Sequence, residues 1–251
     1  LKDGMVDRGW TKRDEPWLDQ ALSANNAEPF HAILASEEVQ GQPSVITPGV
    51  ADLLFDPRWH LPTINVTAKT AEAMADQLEP LLRTARQIIL VDPYFDPNEP
   101  SYRSVLKLVV DRALRCRAQG RLRPDLTVVT GVDERKRGSG TLSVAQQHLN
   151  VANNRYQSAK AHLGLCMPAG MSLTFKCIEE FASGDQVHNR YVLTDAAGAC
   201  IPYGTQALGE CVFDDIMPLY RGQYQSRWQQ YGKGKDLRTV GSQVVVPGVG
   251  V

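Results

Sequence analysis

Compact metal-ligand sets, long apolar runs and an excess of charge of either sign are all missing from this sequence. Without Cys-x-x-Cys or His-Glu-x-x-His spacing, no metal is expected, and no cofactor is implied. The five cysteines, Cys116, Cys166, Cys177, Cys200 and Cys211, are odd in number and widely spaced. That pattern favours buried, reduced thiols in a cytoplasmic protein over a disulfide scaffold. No apolar stretch approaches the roughly 18 residues that a membrane-crossing helix needs, so none is expected. A signal peptide is not visible, and the chain opens on Leu1 rather than Met, which suggests that an N-terminal piece has been removed or is not resolved. With 27 basic against 28 acidic residues, the whole-domain basicity of many nucleic-acid binders is absent, although local basic patches can still hold phosphate.

What is present is an ordinary globular composition, 43% hydrophobic and 22% charged over 251 residues, enough for one α/β domain with an extension. Residues 1–66 hold Trp10, Trp17 and Trp59, several proline breaks and a short strand-like run at 31–35, and read as an extension folded onto the main domain. Residues 67–231 then alternate in period. Ala71, Met74, Leu78, Leu81, Leu82 and Ala85 recur at helical spacing, with Pro80 as a bend, and the Ile-Ile-Leu-Val run over 87–91 is too short for a helix and suits a strand buried on both faces. A second amphipathic helix runs through Tyr102, Val105, Leu106, Val109 and Ala113, closing near Gly120; a buried strand follows at 126–130 and a longer helix at 143–163. Strands are expected at 172–177, 187–194 and 199–203, the last two joined by the turn Asp195-Ala196-Ala197-Gly198. After a loop, Ile216, Leu219, Tyr220, Tyr224, Trp228 and Tyr231 form an aromatic stripe that reads as core packing, and the tail over 232–251 reads as flexible or partner-bound. The order predicts an α/β fold, a mixed sheet sandwiched by helices.

The segment that points to chemistry is His188-Asn189-Arg190-Tyr191-Val192-Leu193-Thr194-Asp195, followed by Gly204-Thr205-Gln206. Residues two apart on a strand share a face, so His188 and Arg190 point the same way. A guanidinium can hold two phosphate oxygens while a neutral imidazole attacks phosphorus. Asp195, at the strand's end, can orient a histidine or offset the cationic charge, and Gly204 with Thr205 can donate to a non-bridging oxygen. Asp92, Tyr94 and Asp96 follow the first buried strand, where ligands gather in parallel sheets; they either border the same pocket or form a turn that caps the next helix. Glu179 and Glu180 carry the same two readings, His148 has Asn and Gln neighbours on its helix, and Arg135-Lys136-Arg137 is a solvated loop or a phosphate contact.

His188, Arg190 and Asp195 stand at the spacing His-x-Arg-x4-Asp, which resembles the phospholipase D superfamily signature His-x-Lys-x4-Asp with a following Gly-Ser or Gly-Gly. The resemblance extends over residues 68–231 and implies a phospholipase D-like α/β domain. Arg190 replaces the family's lysine, Thr205 and Gln206 stand where serine and asparagine are common, and one motif copy is present where the family's chemistry uses two histidines. A lone copy implies a homodimer. The His-x-Arg-Tyr form, after a strand ending Asp-Pro-Tyr, is also similar to the membrane-binding phospholipase D-like domains, which act as binding modules.

The first expectation is thus a phosphodiesterase, a nuclease among the options, with His188, Arg190 and Asp195 catalytic and Gly204, Thr205, Gln206, Asp92 and Tyr94 binding substrate. Its ligand would be a nucleic acid or a phospholipid. The alternatives are a catalytically inactive phosphate- or phospholipid-binding module, or a scaffold in a bacterial defence or regulatory system.

Overall fold

The computed structural model describes residues 11, 13–27, 30, 33–36, 39–42, 44–47, 65–115, 123–132, 143–179, 189–235 and 237–250. Trp10, Trp59, Cys116 and the Arg135-Lys136-Arg137 loop lie outside them. Near the N-terminus, α1 (Trp17–Ala27) accompanies a parallel pair, β1 (Ile33–Leu34) and β2 (Val45–Ile46). Ile33, Ala35 and Val45 form a small apolar cluster there with Leu18, Ala21 and Leu22.

The main body is α/β. Its elements are β3 (Asn65–Lys69), α2 (Ala71–Leu82), β4 (Gln87–Val91), α3 (Pro100–Arg115), β5 (Asp125–Gly131), α4 (Val144–His162), β6 (Ser172–Ile178), β7 (Tyr191–Thr194), β8 (Gly198–Cys200), β9 (Gly209–Pro218), α5 (Arg221–Arg227) and β10 (Val244–Pro247). Eight strands make one mixed sheet in the order β10-β6-β5-β4-β7-β8-β9-β3. β4, β5 and β6 are mutually parallel, and every other pairing is antiparallel.

Alternation along the central strands sends side chains to two separate cores. Ile88 and Leu90 of β4, Leu126 and Val128 of β5, and Leu173 and Phe175 of β6 meet α2, α3 and α4 in the larger one. Ile89, Val91, Val129 and Leu193 face the other way, onto Tyr224, Trp228 and Tyr231. Of the aromatic stripe, Tyr231 is buried and Leu219, Tyr224 and Trp228 pack partly buried against this core, carried by α5 and the π-helical turn Trp228–Gly232 that continues it, whereas Tyr220 is exposed. Full burial of each Leu or Val is worth about 1.5–3 kcal/mol, which is why unbroken apolar runs settle at the sheet's centre. Helix starts follow local rules as well: the hydroxyls of Thr70 and Ser143 accept from the amides of Ala73 and Gln146, capping α2 and α4.

Three differences from the sequence reading concern the outer strands of the sheet, β10 and β3 at its edges and β9 beside β3. β3 occupies the boundary placed at residues 66 and 67, so the domain begins within the stretch read as extension. β9, ten residues long, runs where a loop and the start of the aromatic stripe were expected, and Ile216 belongs to it. The tail, read as flexible or partner-bound, supplies β10, which pairs with β6 and buries Val246. Among the described residues no helix is long and apolar enough to cross a membrane.

Candidate functional site

The parallel strands β4, β5 and β6 end on one edge of the sheet, and β7, antiparallel to β4, begins there. Val91 pairs with Tyr191, which sets Asp92 beside Arg190. Beyond β8 the chain turns back over this edge as the segment 202–206.

Asp92 is 1% exposed and accepts three hydrogen bonds, from the amide of Tyr94 (3.0 Å), the amide of Thr205 (2.7 Å) and the Thr205 hydroxyl (2.9 Å). Such a donor set compensates the hydration that a buried carboxyl group gives up. Gly204 makes the approach feasible. Its φ is +87°, and a Cβ there would stand 2.8 Å from Asp92 Oδ2.

Arg190 rests on the ring of Tyr94, with its guanidinium carbon 4.9 Å from the ring centroid, and Nη1 donates to the carbonyl of Pro202 at 2.7 Å. Its Nε is buried and has no hydrogen-bond partner among the described residues; Asp92 Oδ1 lies 4.0 Å away. The side chain as a whole keeps 22% of its surface exposed.

A second buried pair lies under the same turn. Lys69, fully buried, donates from Nζ to the carbonyl of Gly204 and to Asp214 Oδ2, the latter at 3.2 Å. The Asp214 carboxylate also accepts from the amides of Tyr203 (3.2 Å) and Asp215 (2.9 Å). Burial lowers the Lys69 ammonium below its ordinary range, with Asp214 pulling in the opposite direction. Burial, reinforced by Asp92, pushes the Tyr102 phenol up, so it stays protonated. Lys69, Asp214 and Asp92 are thus buried, and of the four charged side chains Arg190 alone keeps a substantial part of its surface exposed.

Several residues expected in the site take other positions. Asp195 stands at the opposite end of β7, roughly 16 Å along the strand from Arg190 at about 3.3 Å per residue. There Oδ1 accepts from the amides of Arg86 (2.8 Å) and Gln87 (3.2 Å), tying β7 to the start of β4. The antiparallel pairing that brings Arg190 to Asp92 carries Asp195 away. Gly204 and Thr205 do reach the site, but their donors are occupied. The Gly204 amide bonds Ile201 O at 2.9 Å, and both Thr205 donors go to Asp92. Gln206 turns to the start of α3, where Nε2 donates to Ser101 Oγ at 3.1 Å. His188 lies outside the described residues, as do Glu180, His31 and His60. His148 does find a partner: Nδ1 is 3.5 Å from Glu179 Oε1, at the end of β6.

Lys69 and Asp214 carry no signal in the sequence. Lys69 adjoins a helix start, where lysines are usually solvated, and Asp214-Asp215 reads as a polar loop. Arg155, also unanticipated, reaches from α4 to Thr130 Oγ1 (2.7 Å) and to the carbonyls of Gly131 and Pro93, tying the ends of β4 and β5 to that helix. Cys166 and Cys177 are buried, and burial pushes each thiol up to about 11, which keeps them protonated and unreactive at neutral pH.

Comparison with models of known protein families matches none to this chain, and comparison with curated proteins finds no match.

Proposed function

We propose that the protein is a phospholipase D-like phosphodiesterase in which Arg190 holds the phosphate and His188 attacks it, two copies of the chain together supplying the two imidazoles. The observation that carries this reading is the state of Arg190. Its guanidinium is held by Tyr94 and Pro202 at the carboxyl edge of parallel strands, on a side chain that is 22% exposed, and its buried Nε has no hydrogen-bond partner among the described residues. A planar, preoriented guanidinium of this kind suits two oxygens of a phosphodiester. In the proposed reaction a ring nitrogen of neutral His188 forms a bond to phosphorus as the bond to the leaving oxygen breaks. The imidazolium of His188 from a second copy gives that oxygen its proton; water then attacks phosphorus as the bond to the first histidine breaks, and its proton returns to the second imidazole. A nucleic-acid strand and a phospholipid headgroup both offer the required diester.

A second reading, a binding module that holds phosphate without cleaving it, is favoured by one specific observation. The donors of Gly204 and Thr205 are already used, and Asp195 is remote, so less machinery surrounds Arg190 than the motif implied. Hydrolysis of bis(p-nitrophenyl) phosphate in EDTA separates the two. The phosphodiesterase predicts turnover that falls about 10²-fold or more in His188→Ala, with the fold retained. Phosphate binding without turnover in the unaltered protein would establish the module instead.

A further inference from the structure

Beneath the turn that faces Arg190 lies a buried ion pair to which the proposed chemistry assigns no role. Burying an ammonium and a carboxylate costs several kcal/mol per ion before their attraction is counted, and an apolar pair in the same space is often as stable. Lys69 and Asp214 are 0% exposed at their side chains, so stability alone is a poor explanation of their presence. Their hydrogen bonds indicate another purpose. Besides bonding each other, they hold two consecutive residues: Asp214 accepts from the amide of Tyr203, and Lys69 donates to the carbonyl of Gly204. The next residue, Thr205, gives both of its donors to Asp92, and Asp92 is the carboxylate beside Arg190 Nε.

We propose that Lys69, with Asp214, is a positioning residue for the phosphate site: it locks the Tyr203–Thr205 turn from below, the turn holds Asp92, and Asp92 sets the direction of the Arg190 guanidinium. The connection is continuous from β3 and β9 to β4 and β7. It also explains the left-handed Gly204, since the turn must bring its carbonyl to Lys69 and its own Cα against Asp92 at once. Without the ammonium the Gly204 carbonyl is left unpaired in a buried place, and the turn relaxes toward water. The proposal rests on Arg190 being the phosphate ligand, and one of its tests is independent of that reading.

The test compares the full chain with Lys69→Met/Asp214→Leu, which removes both buried charges together so that neither is stranded, and with Lys69→Arg, which keeps the charge. Two readouts are taken: the Arg190 Nε–Hε resonance in ligand-free protein, and the Kd for dimethyl phosphate. The double variant is expected to fold, to shift and broaden the Arg190 resonance, and to bind dimethyl phosphate at least about tenfold more weakly; Lys69→Arg is expected to restore part of both. Thr205→Val, which breaks the same relay one step closer to Arg190 by removing the hydroxyl bond to Asp92, is expected to move the resonance in the same direction. An Arg190 resonance that is unchanged in the folded double variant, or in Thr205→Val, overturns the positioning role. If the unaltered protein fails to bind dimethyl phosphate, the phosphate reading falls, while the resonance still decides whether Lys69 positions Arg190.

Discussion

At the scale of single residues, the site is organised around one glycine and one arginine. Gly204 adopts a φ of +87° in a turn whose neighbours are fixed from two sides, by Lys69 below and by Asp92 in front. Gly204→Ala should therefore cost about 1–3 kcal/mol, because an alanine must hold a left-handed conformation and push its Cβ against the Asp92 carboxylate. Urea denaturation measures this directly, and a change within about 0.5 kcal/mol would mean that the turn can relax. Part of the site was legible in the sequence because the carboxyl edge of a parallel sheet follows from short-range rules, whereas strand periodicity did not place Arg190, which stands just before β7 in the stretch expected to be strand over 187–194. Arg190, Asp92, Tyr94, Gly204 and Thr205 do converge. Asp195 was misplaced because linear spacing does not say which end of a strand a residue will occupy relative to the pocket. Lys69 and Asp214 were hidden because a charge is read as exposed until the fold buries it.

At the scale of elements, the strands legible in the sequence were those buried on both faces. β4 spans the residues expected of it, and β5 and β6 differ from expectation by a residue at one or both ends. The outer strands β9 and β10 were not legible, for a physical reason particular to each. β9 places Asp214 at an inward position between Val212 and Ile216, so the apolar alternation that marks a half-buried strand is broken by the ion pair itself. β10 is a short Val-rich run between glycines, which resembles a loose tail until its hydrogen bonds to β6 are seen. Val246, 1% exposed, sits in the larger core, so Val246→Asp should cost about 3 kcal/mol or more by burying an unpaired carboxylate. A flexible tail would tolerate the same change almost without effect, and the midpoint of urea unfolding distinguishes the two.

At the scale of the whole molecule, a mixed eight-stranded sheet carries two apolar cores, and its parallel strands end on one edge where Arg190 lies on Tyr94 beside Asp92. That architecture fits the α/β expectation, and the phospholipase D-like reading adds a function to it through Arg190 and His188. The second imidazole is the requirement that ties this reading to oligomeric state, since turnover by one motif per chain needs two chains. The central claim, that Arg190 is a phosphate ligand, is tested most directly by titrating dimethyl phosphate while following the Arg190 Nε–Hε resonance, in the unaltered protein and in Arg190→Gln by calorimetry. The account predicts a saturable shift of that resonance and loss of binding in Arg190→Gln. A resonance that does not move, or equal affinity in Arg190→Gln, would contradict it.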